Sequence, residues 1–427
     1  MKNIEVPALA RVEGEGGLFI GLQDGKAVEI RLDIYEPPRF FEGFLVGRFL
    51  QEVPDITARI CGICPVAYQM SSVYALERAL GVTIHPQARL LRRLMYCGEY
   101  IESHALHIYL LQAPDMLGVQ SALELAATAP DVVKNALRLK KIGNNLLKAI
   151  GGRSVHPVNV CVGGFYRWPK AADLKALLPD LEWGLAASIE CAKWAATLPY
   201  PDLEIDYEFV ALHHPNEYGV IEGEVLSSKG RVLTIPEYEN GYIEEHVKHS
   251  NALHSHTVDG STYLVGPLAR LNLNNQQLSP AAKQALKDTG VELPLKNPYK
   301  SLLARAIELV HFYEEAIQLV NSYKPEGRSY VNLKLKAGEG TGATEAPRGL
   351  LYHRYKIDDQ GLVTFAKITP PTAQNLPRIE ADLFALAPKI VEMPHEEATL
   401  TAEHLVRAYD PCISCATHFL KLKVENA

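Results

Sequence analysis

The sequence predicts a mainly α, α+β fold: a large central helix bundle with peripheral β-hairpins, built as one domain over residues 1–427. Three observations carry this reading. Residues 88–112 place apolar side chains on nearly every helical face, which marks a helix buried at the centre of a bundle. A second long helical pattern runs over residues 298–323. Strand patterns are peripheral, at residues 18–35, in a Tyr/Val-rich insertion at residues 205–270 and at residues 331–335. No repeat, low-complexity segment or linker divides the 427 residues, a length that buries an ample core.

Taken in order, the chain first offers Ala10-Arg11-Val12-Glu13-Gly14-Glu15-Gly16-Gly17, too glycine-rich to be mid-element, so Arg11 and Glu13 fall in a loop or at a strand start. Residues 18–35 read as a hairpin, with Val28, Ile30, Leu32 and Ile34 alternating with Glu29, Arg31 and Asp33 after an Asp24-Gly25 turn. Residues 37–43 bend the chain into a short helix. A longer helix then runs to Leu80 and is stopped by Gly81. In the 88–112 helix the few polar groups, Glu102, Ser103, His104 and His107, stand out. The two histidines share a face and read as satisfied core histidines, since buried polar groups find partners.

Helical patterns resume at 121–150 and 171–197, with His156-Pro157 in a loop between glycine pairs. The 205–270 stretch carries His213, His214, His246, His249, His254 and His256. Without cysteines or a tight histidine pairing beside acids, it reads as a solvated loop rather than a second metal site. Residues 331–335 read as a strand entering Gly338-Glu339-Gly340-Thr341-Gly342. The spacing is wrong for a dinucleotide fingerprint and Pro347 stands where its helix should begin, so this chain is not expected to bind NAD(P). The glycines instead suit a backbone that approaches something closely.

Composition narrows the function. With 47% hydrophobic and 22% charged residues and a net charge of −7, there is no Lys/Arg-rich block of the kind that binds nucleic acid. No run reaches the ~18 apolar residues of a membrane span. Glu5 and Pro7 interrupt any signal-peptide core, so a cytoplasmic location is expected. Of seven cysteines, four form two Cys-x-x-Cys pairs at opposite ends, Cys61/Cys64 and Cys412/Cys415, while Cys97, Cys161 and Cys191 stand alone. That is no disulfide framework. A structural zinc site normally draws its pairs from within tens of residues, and a redox dithiol needs one pair beside a βαβ pattern. A redox-active metal site uses both pairs, with soft thiolates suited to nickel, iron or copper.

Arg59-Ile60-Cys61-Gly62-Ile63-Cys64-Pro65 and Asp410-Pro411-Cys412-Ile413-Ser414-Cys415-Ala416-Thr417-His418 resemble the two signatures of the nickel–iron hydrogenase large subunit. Further matches follow in order: Arg11-Val12-Glu13-Gly14, Glu102-Ser103-His104-Ala105-Leu106-His107, Gly266-Pro267-Leu268-Ala269-Arg270, Glu345-Ala346-Pro347-Arg348-Gly349 and Pro370-Pro371-Thr372-Ala373-Gln374-Asn375. The resemblance covers essentially the whole chain. The bend at Pro38-Arg39-Phe40-Phe41-Glu42 is most similar to the soluble NAD(P)-linked branch, which includes the sulfhydrogenases.

The resemblance implies the large-subunit fold and the reaction H2 ⇌ 2H+ + 2e−. It makes Cys61 and Cys412 terminal nickel ligands, and Cys64 and Cys415 bridges to an iron carrying carbon monoxide and two cyanides. By the same likeness Glu13 relays protons from Cys412, and Arg348 sits over the open side of the metals with Asp410 as its partner. A guanidinium cannot readily be deprotonated, so the role of Arg348 is electrostatic. Thr372 and the backbone at Pro347 and Arg348 would hydrogen-bond the cyanides. Glu42, His418 and a carbonyl near Ile368 would hold a second metal, magnesium by its oxygen-rich ligands.

Two positions depart from the family pattern. Tyr68 stands where many relatives have a histidine, so hydrogen bonds to sulfur must come from elsewhere. Ser103 replaces the aspartate that membrane-linked uptake enzymes place beside Arg348. With no cysteine left for an iron–sulfur cluster, electrons must leave through an iron–sulfur small subunit, followed in the NAD(P)-linked branch by a flavin-containing diaphorase pair. The resemblance also implies that a maturation endopeptidase removes the tail at residues 419–427. The alternatives are a nickel-free, complex I-like scaffold subunit that contacts quinone, and a zinc-stabilised interaction protein.

Overall fold

Helices Pro86–Leu106, Pro130–Gly151, Leu178–Ala196 and Ser301–Ser322 pack against one another as the central bundle of a computed structural model that describes residues 3–24 and 26–418. The first of these starts at Pro86, where a missing N–H costs nothing, and the His85 ring accepts the Gln87 amide at 3.1 Å. Leu91, Leu94, Met95, Tyr100 and Ile101 are buried around its circumference, as the apolar pattern requires. The predicted 88–112 helix changes winding, however. After Leu106 it continues as a π-helical turn, His107–Gln112, then as the short helix Ala113–Met116. The predicted 121–150 helix is two, Ala122–Thr128 and Pro130–Gly151, because Pro130 forces Ala129 out of helical geometry.

The helix Pro65–Leu80 follows the first cysteine pair and ends at Gly81 in the left-handed conformation (φ +68°). It lies on a three-stranded antiparallel sheet, Gly338–Ala346, Gly349–Ile357 and Val363–Thr369. Gly338, Gly340 and Gly342 alternate along the first strand, so all three meet the helix face that carries Ser71, Ala75 and Ala79. A methyl group on Gly340 would lie 2.0 Å from the Ala75 carbonyl oxygen, and one on Gly342 would lie 2.2 Å from that of Ser71. The helix backbone is therefore what these glycines approach.

The stretch expected as a strand at residues 331–335 is irregular. It crosses the Gly163-Gly164 turn through a Gly164–Tyr330 bridge and one Val331 amide bond at 3.0 Å, which leaves no continuous partner for a ladder.

The N-terminal sheet pairs Ile4–Val6, Gly16–Gln23 and Lys26–Ile34 antiparallel. Ile30, Leu32 and Ile34 are buried as predicted, but Val28 is exposed, because a bulge opposite Gly21 and Leu22 breaks the alternation there. Within residues 205–270 the strands Val210–His213, Glu224–Ser227 and Val232–Leu233 form one sheet, and Tyr242–His246 pairs with Leu253–Thr257. Tyr238, Tyr242, Tyr263 and Val210 build a second small core with Leu350 and Tyr352, and helix Pro267–Asn274 closes the region.

The solvated-loop reading holds for His246, which is exposed, but not for every histidine here. His254 is buried on its strand beneath helix Pro371–Ile390, and His213 hydrogen-bonds Asn274. Among the described residues no helix is long and apolar enough to cross a membrane. The tail expected to be cleaved, residues 419–427, lies outside the described residues.

Candidate metal centre

Cys61 leaves a 3-10 turn, Ala58–Ile60, in extended geometry, and Cys64 precedes the helix Pro65–Leu80. Cys64 gives that helix no side-chain cap. Glu99 supplies it from the neighbouring helix, accepting the Val66 and Ala67 amides at 2.6 and 3.1 Å. The second pair brackets the turn Ile413–Ala416, which Glu13 holds in place. The Glu13 carbonyl accepts the Ile413 amide at 2.9 Å, while its carboxylate accepts the Ser414 amide at 3.1 Å and the Ser414 hydroxyl at 2.6 Å. Thr372, in the first turn of Pro371–Ile390, accepts the Cys412 amide at 2.9 Å.

These contacts bring the four sulfurs within 4.8 Å of one another, all buried. The Cys412 and Cys415 sulfurs stand 2.7 Å apart and are not in a disulfide, and the Cys61 and Cys412 sulfurs are 3.6 Å apart. Cys97, Cys161 and Cys191 take no part in the cluster. Backbone amides of Ile63 and Cys64 point at the Cys61 sulfur from 3.3 and 3.2 Å, which supplies the sulfur hydrogen bonds that Tyr68 does not. The Tyr68 hydroxyl is buried without a hydrogen-bond partner among the described residues, and burial, then the four sulfurs, pushes its pKa well up. Hydrogen bonds from the other three thiols pull Cys61 well below the ordinary thiol range. Cys412 and Cys415 are pushed well above it, chiefly by burial. Four buried thiolates this close repel one another unless a cation sits among them, so the donor set fits a soft divalent metal.

Arg348 closes one side. Its Nε donates to the Asp410 carbonyl at 2.7 Å and its Nη2 to the Asp410 carboxylate at 2.9 Å, while Nη1 is buried with no partner among the described residues. Burial disfavours its charge, but Asp410 and then the sulfurs of Cys412, Cys64 and Cys61 outweigh it, and its pKa lies well above the free value. Asp410 adopts φ +55°, and its carboxylate also lies 4.0 Å from both the Arg305 guanidinium and the His107 ring. Burial opposes its ionisation, yet Arg348 leads the neighbours that hold its pKa below the carboxylate range.

Behind Arg348 lies a buried ion network that accounts for the remaining motifs. Arg270 donates to Glu308 (2.7 and 2.9 Å), to Glu345 (3.0 Å) and to the carbonyls of Ala346 and Pro347 (2.9 and 2.8 Å). His104 and the Tyr218 hydroxyl also bond Glu308, each at 2.7 Å. Burial lowers the His104 pKa to about 4 and that of His107 to about 3, so both are neutral, and each leaves Nδ1 unpaired among the described residues. The Ser103 hydroxyl is buried and likewise unpaired. Glu99, Glu308 and Arg305 escape sequence reasoning. An acid or arginine within an apolar helical run is their only signal, and their partners lie far away in sequence.

Glu42 and His418 meet at 2.9 Å, and the Ile368 amide donates to Glu42 at 2.7 Å. Glu244, which the sequence does not single out, lines the same pocket. One Glu244 oxygen accepts the Thr369 hydroxyl at 2.7 Å and the other is buried without a partner among the described residues. Burial raises this carboxyl to about 7. Two carboxylates, an imidazole and an unfilled acceptor suit a hard cation.

Comparisons with known proteins agree with this arrangement. The family model described as nickel-dependent hydrogenase matches residues 39–153 and 224–418, which include all four cysteines. Sulfhydrogenase 1 subunit alpha of Pyrococcus furiosus is 35% identical, over 99% of this chain and 100% of the relative. The NAD-reducing hydrogenase HoxS subunit beta of Cupriavidus necator is 28% identical, over 98% of this chain and 95% of its own length. A crystal structure of an NAD+-reducing [NiFe]-hydrogenase in the H2-reduced state superposes with a TM-score of 0.89, at 26% identity, covering 98% of this chain and 100% of that one. The matched stretches hold the buried four-cysteine cluster drawn from both ends of this chain, and the chain belongs to the nickel-dependent hydrogenase family.

Proposed function

We propose that this chain is the catalytic subunit of a NAD(P)-linked nickel–iron hydrogenase that interconverts H2 with two protons and two electrons. The observation that carries the reading is the buried four-sulfur cluster, with the Glu13 carboxylate 3.0 Å from the Cys412 sulfur and an unpaired Arg348 N–H beside it. Bound among these sulfurs, a nickel–iron pair carrying carbon monoxide and two cyanides supplies the redox chemistry. Cys61, Cys64, Cys412 and Cys415 would hold it, Cys61 and Cys412 as nickel ligands and Cys64 and Cys415 as ligands shared with the iron.

Each neighbouring residue then has a physical task. The Cys412 sulfur takes the proton released from H2 and passes it to Glu13, whose carboxylate is oriented by the Ser414 amide and hydroxyl. Arg348 is aimed by Asp410 and holds positive charge over the site without itself titrating. Thr372 accepts the Cys412 amide, so its own hydroxyl proton is left to donate and would hold a cyanide, with the Arg348 backbone N–H as a second donor and Pro347, which has no N–H, only walling that side. Glu42, His418 and the Ile368 carbonyl hold magnesium, with Glu244 beside them, and so tie the C-terminal segment to the core. A maturation endopeptidase cleaves after His418, and mass spectrometry of active enzyme is expected to show a chain lacking residues 419–427.

Electrons leave through an iron–sulfur small subunit to a flavin-containing diaphorase pair, in keeping with the NAD-reducing relatives. A docking face is available. Phe40, Phe44, Phe49, Tyr166, Tyr330 and Leu362 are exposed, with Phe40 against Phe44 and Phe49 bridged to Leu362. Arg39, next to Phe40, donates to the carbonyls of Ile60 and Ser414 at 2.7 and 3.1 Å, which joins this face to both cysteine motifs. Because the NAD(P) pool is cytoplasmic, the complex works there.

Metal analysis with infrared spectroscopy tests the reading. Nickel and iron near one each, with bands from bound carbon monoxide and cyanide, are expected. Zinc alone, or no metal in H2-active complex, would overturn it.

A further inference from the structure

We propose that His249, His254 and Glu380 form a second transition-metal site, of the zinc type, which clamps the segments that receive the end of the chain. The three side chains come from three places. His249 lies in the loop between Tyr242–His246 and Leu253–Thr257, His254 is on the second of those strands, and Glu380 is on helix Pro371–Ile390. Their ligand atoms all lie within 4.8 Å of one another, and none belongs to the cysteine cluster. The His249 Nε2 is 2.8 Å from one Glu380 oxygen, which also accepts the Leu32 amide at 2.8 Å.

The second observation is His254 itself. It is only 2% exposed, yet neither of its nitrogens has a hydrogen bond among the described residues. Nε2 is unpaired, and Nδ1 faces the other Glu380 oxygen across 4.0 Å. That gap is too wide for a hydrogen bond, so the ring nitrogen and the carboxylate oxygen face each other with nothing joining them, and a small closing movement brings both to the ligand spacing of a tetrahedral ion. A buried imidazole without a partner is costly, and a metal between Nδ1 and Glu380 gives the ring the one partner it lacks on that side. Burial lowers the His254 pKa to about 4, so its ring is neutral and has a lone pair to give. Two imidazoles and one carboxylate, with the His249 and Glu380 side chains partly open to solvent, match the three-ligand zinc arrangement that keeps a fourth position for water.

The location gives the site a purpose. Asn251, between the two histidines, donates to the Ile34 carbonyl at 2.8 Å and accepts the His418 amide at 2.9 Å, while Ala252 bridges Thr417. A metal here would fasten the loop, the hairpin strand Lys26–Ile34 and the helix Pro371–Ile390 around the last described residues.

The test uses the full complex, dialysed against Zn2+ and then washed, with zinc and nickel counted per chain. H249Q and E380Q are the variants of choice, since both positions are partly open and a glutamine at 380 keeps a carbonyl for the Leu32 amide. One zinc retained by the wild type and lost in both variants, with nickel content and H2 activity unchanged, is the expected result. X-ray absorption at the zinc edge should then report two imidazole ligands. No zinc retained by the wild type, or equal zinc in wild type and variants, would overturn the site. Because nickel is counted separately, this outcome does not depend on the hydrogenase reading.

Discussion

Glu13 joins the two ends of the chain twice, once through its backbone and once through its carboxylate, and only the second contact can carry a proton. Glu13→Gln keeps the shape and an acceptor for Ser414 but cannot hold the proton. Turnover of H2 is expected to fall by about 10²–10⁴-fold, the usual worth of a positioned base, with nickel content unchanged. Equal turnover in the two proteins would remove Glu13 from the path. Thr372→Val tests the neighbouring contact. It leaves the buried Cys412 amide without its acceptor, at a cost of about 1–3 kcal/mol, to be read from thermal unfolding of the metal-free chain.

At the scale of elements, the glycine strand and the helix Pro65–Leu80 are one unit, because the strand can lie this close only without side chains on that face. Gly340→Ala would drive a methyl group into the Ala75 carbonyl, and relief requires the strand or the helix to move. Overpacking of this kind costs about 3 kcal/mol, and since the helix begins at Cys64, nickel occupancy should fall with stability. An alanine variant with wild-type melting temperature and metal content would contradict this coupling. The sequence predicts both the helix stop at Gly81 and the close approach of the glycines, but not the partner, since 263 positions separate Arg78 from the Thr341 carbonyl it bonds.

Across the whole molecule, Asp115 gathers the N-terminal loop and the last long helix. Its carboxylate pairs with Arg11, with Arg407 at 2.7 Å and with His404 at 2.8 Å. Burial alone would raise its pKa, but His404 and Arg407 outweigh it and hold the group at about 2. An unfolded aspartate titrates near ~3.9. A depressed acid stabilises the fold above the unfolded value, and that stability is lost as pH falls from about 4 toward 2. The difference is worth about 2 kcal/mol, and unfolding followed over this window should show it in the wild type and much less in Asp115→Asn. Identical acid limbs in the two proteins would show that the group does not link the ends.

The sequence by itself determined the local grammar and the thiolate donors of the centre. Two Cys-x-x-Cys turns, a glycine stop and an alternating hairpin depend on neighbours a few positions apart, and so they are legible along the chain. It also marked Glu13, Arg348, Asp410 and His418 through their motifs. Tertiary structure alone decided what those groups touch. Glu99 caps the helix of the first cysteine pair from 33 positions away, and Glu380 meets the Leu32 amide across 348. His254 is buried only because the helix Pro371–Ile390 covers its strand, so its spacing in sequence read as a loop. Val28 is turned outward by a bulge that no alternation pattern reveals. Periodicity reports which face of an element is apolar, whereas burial and partnership depend on which distant element lies against it.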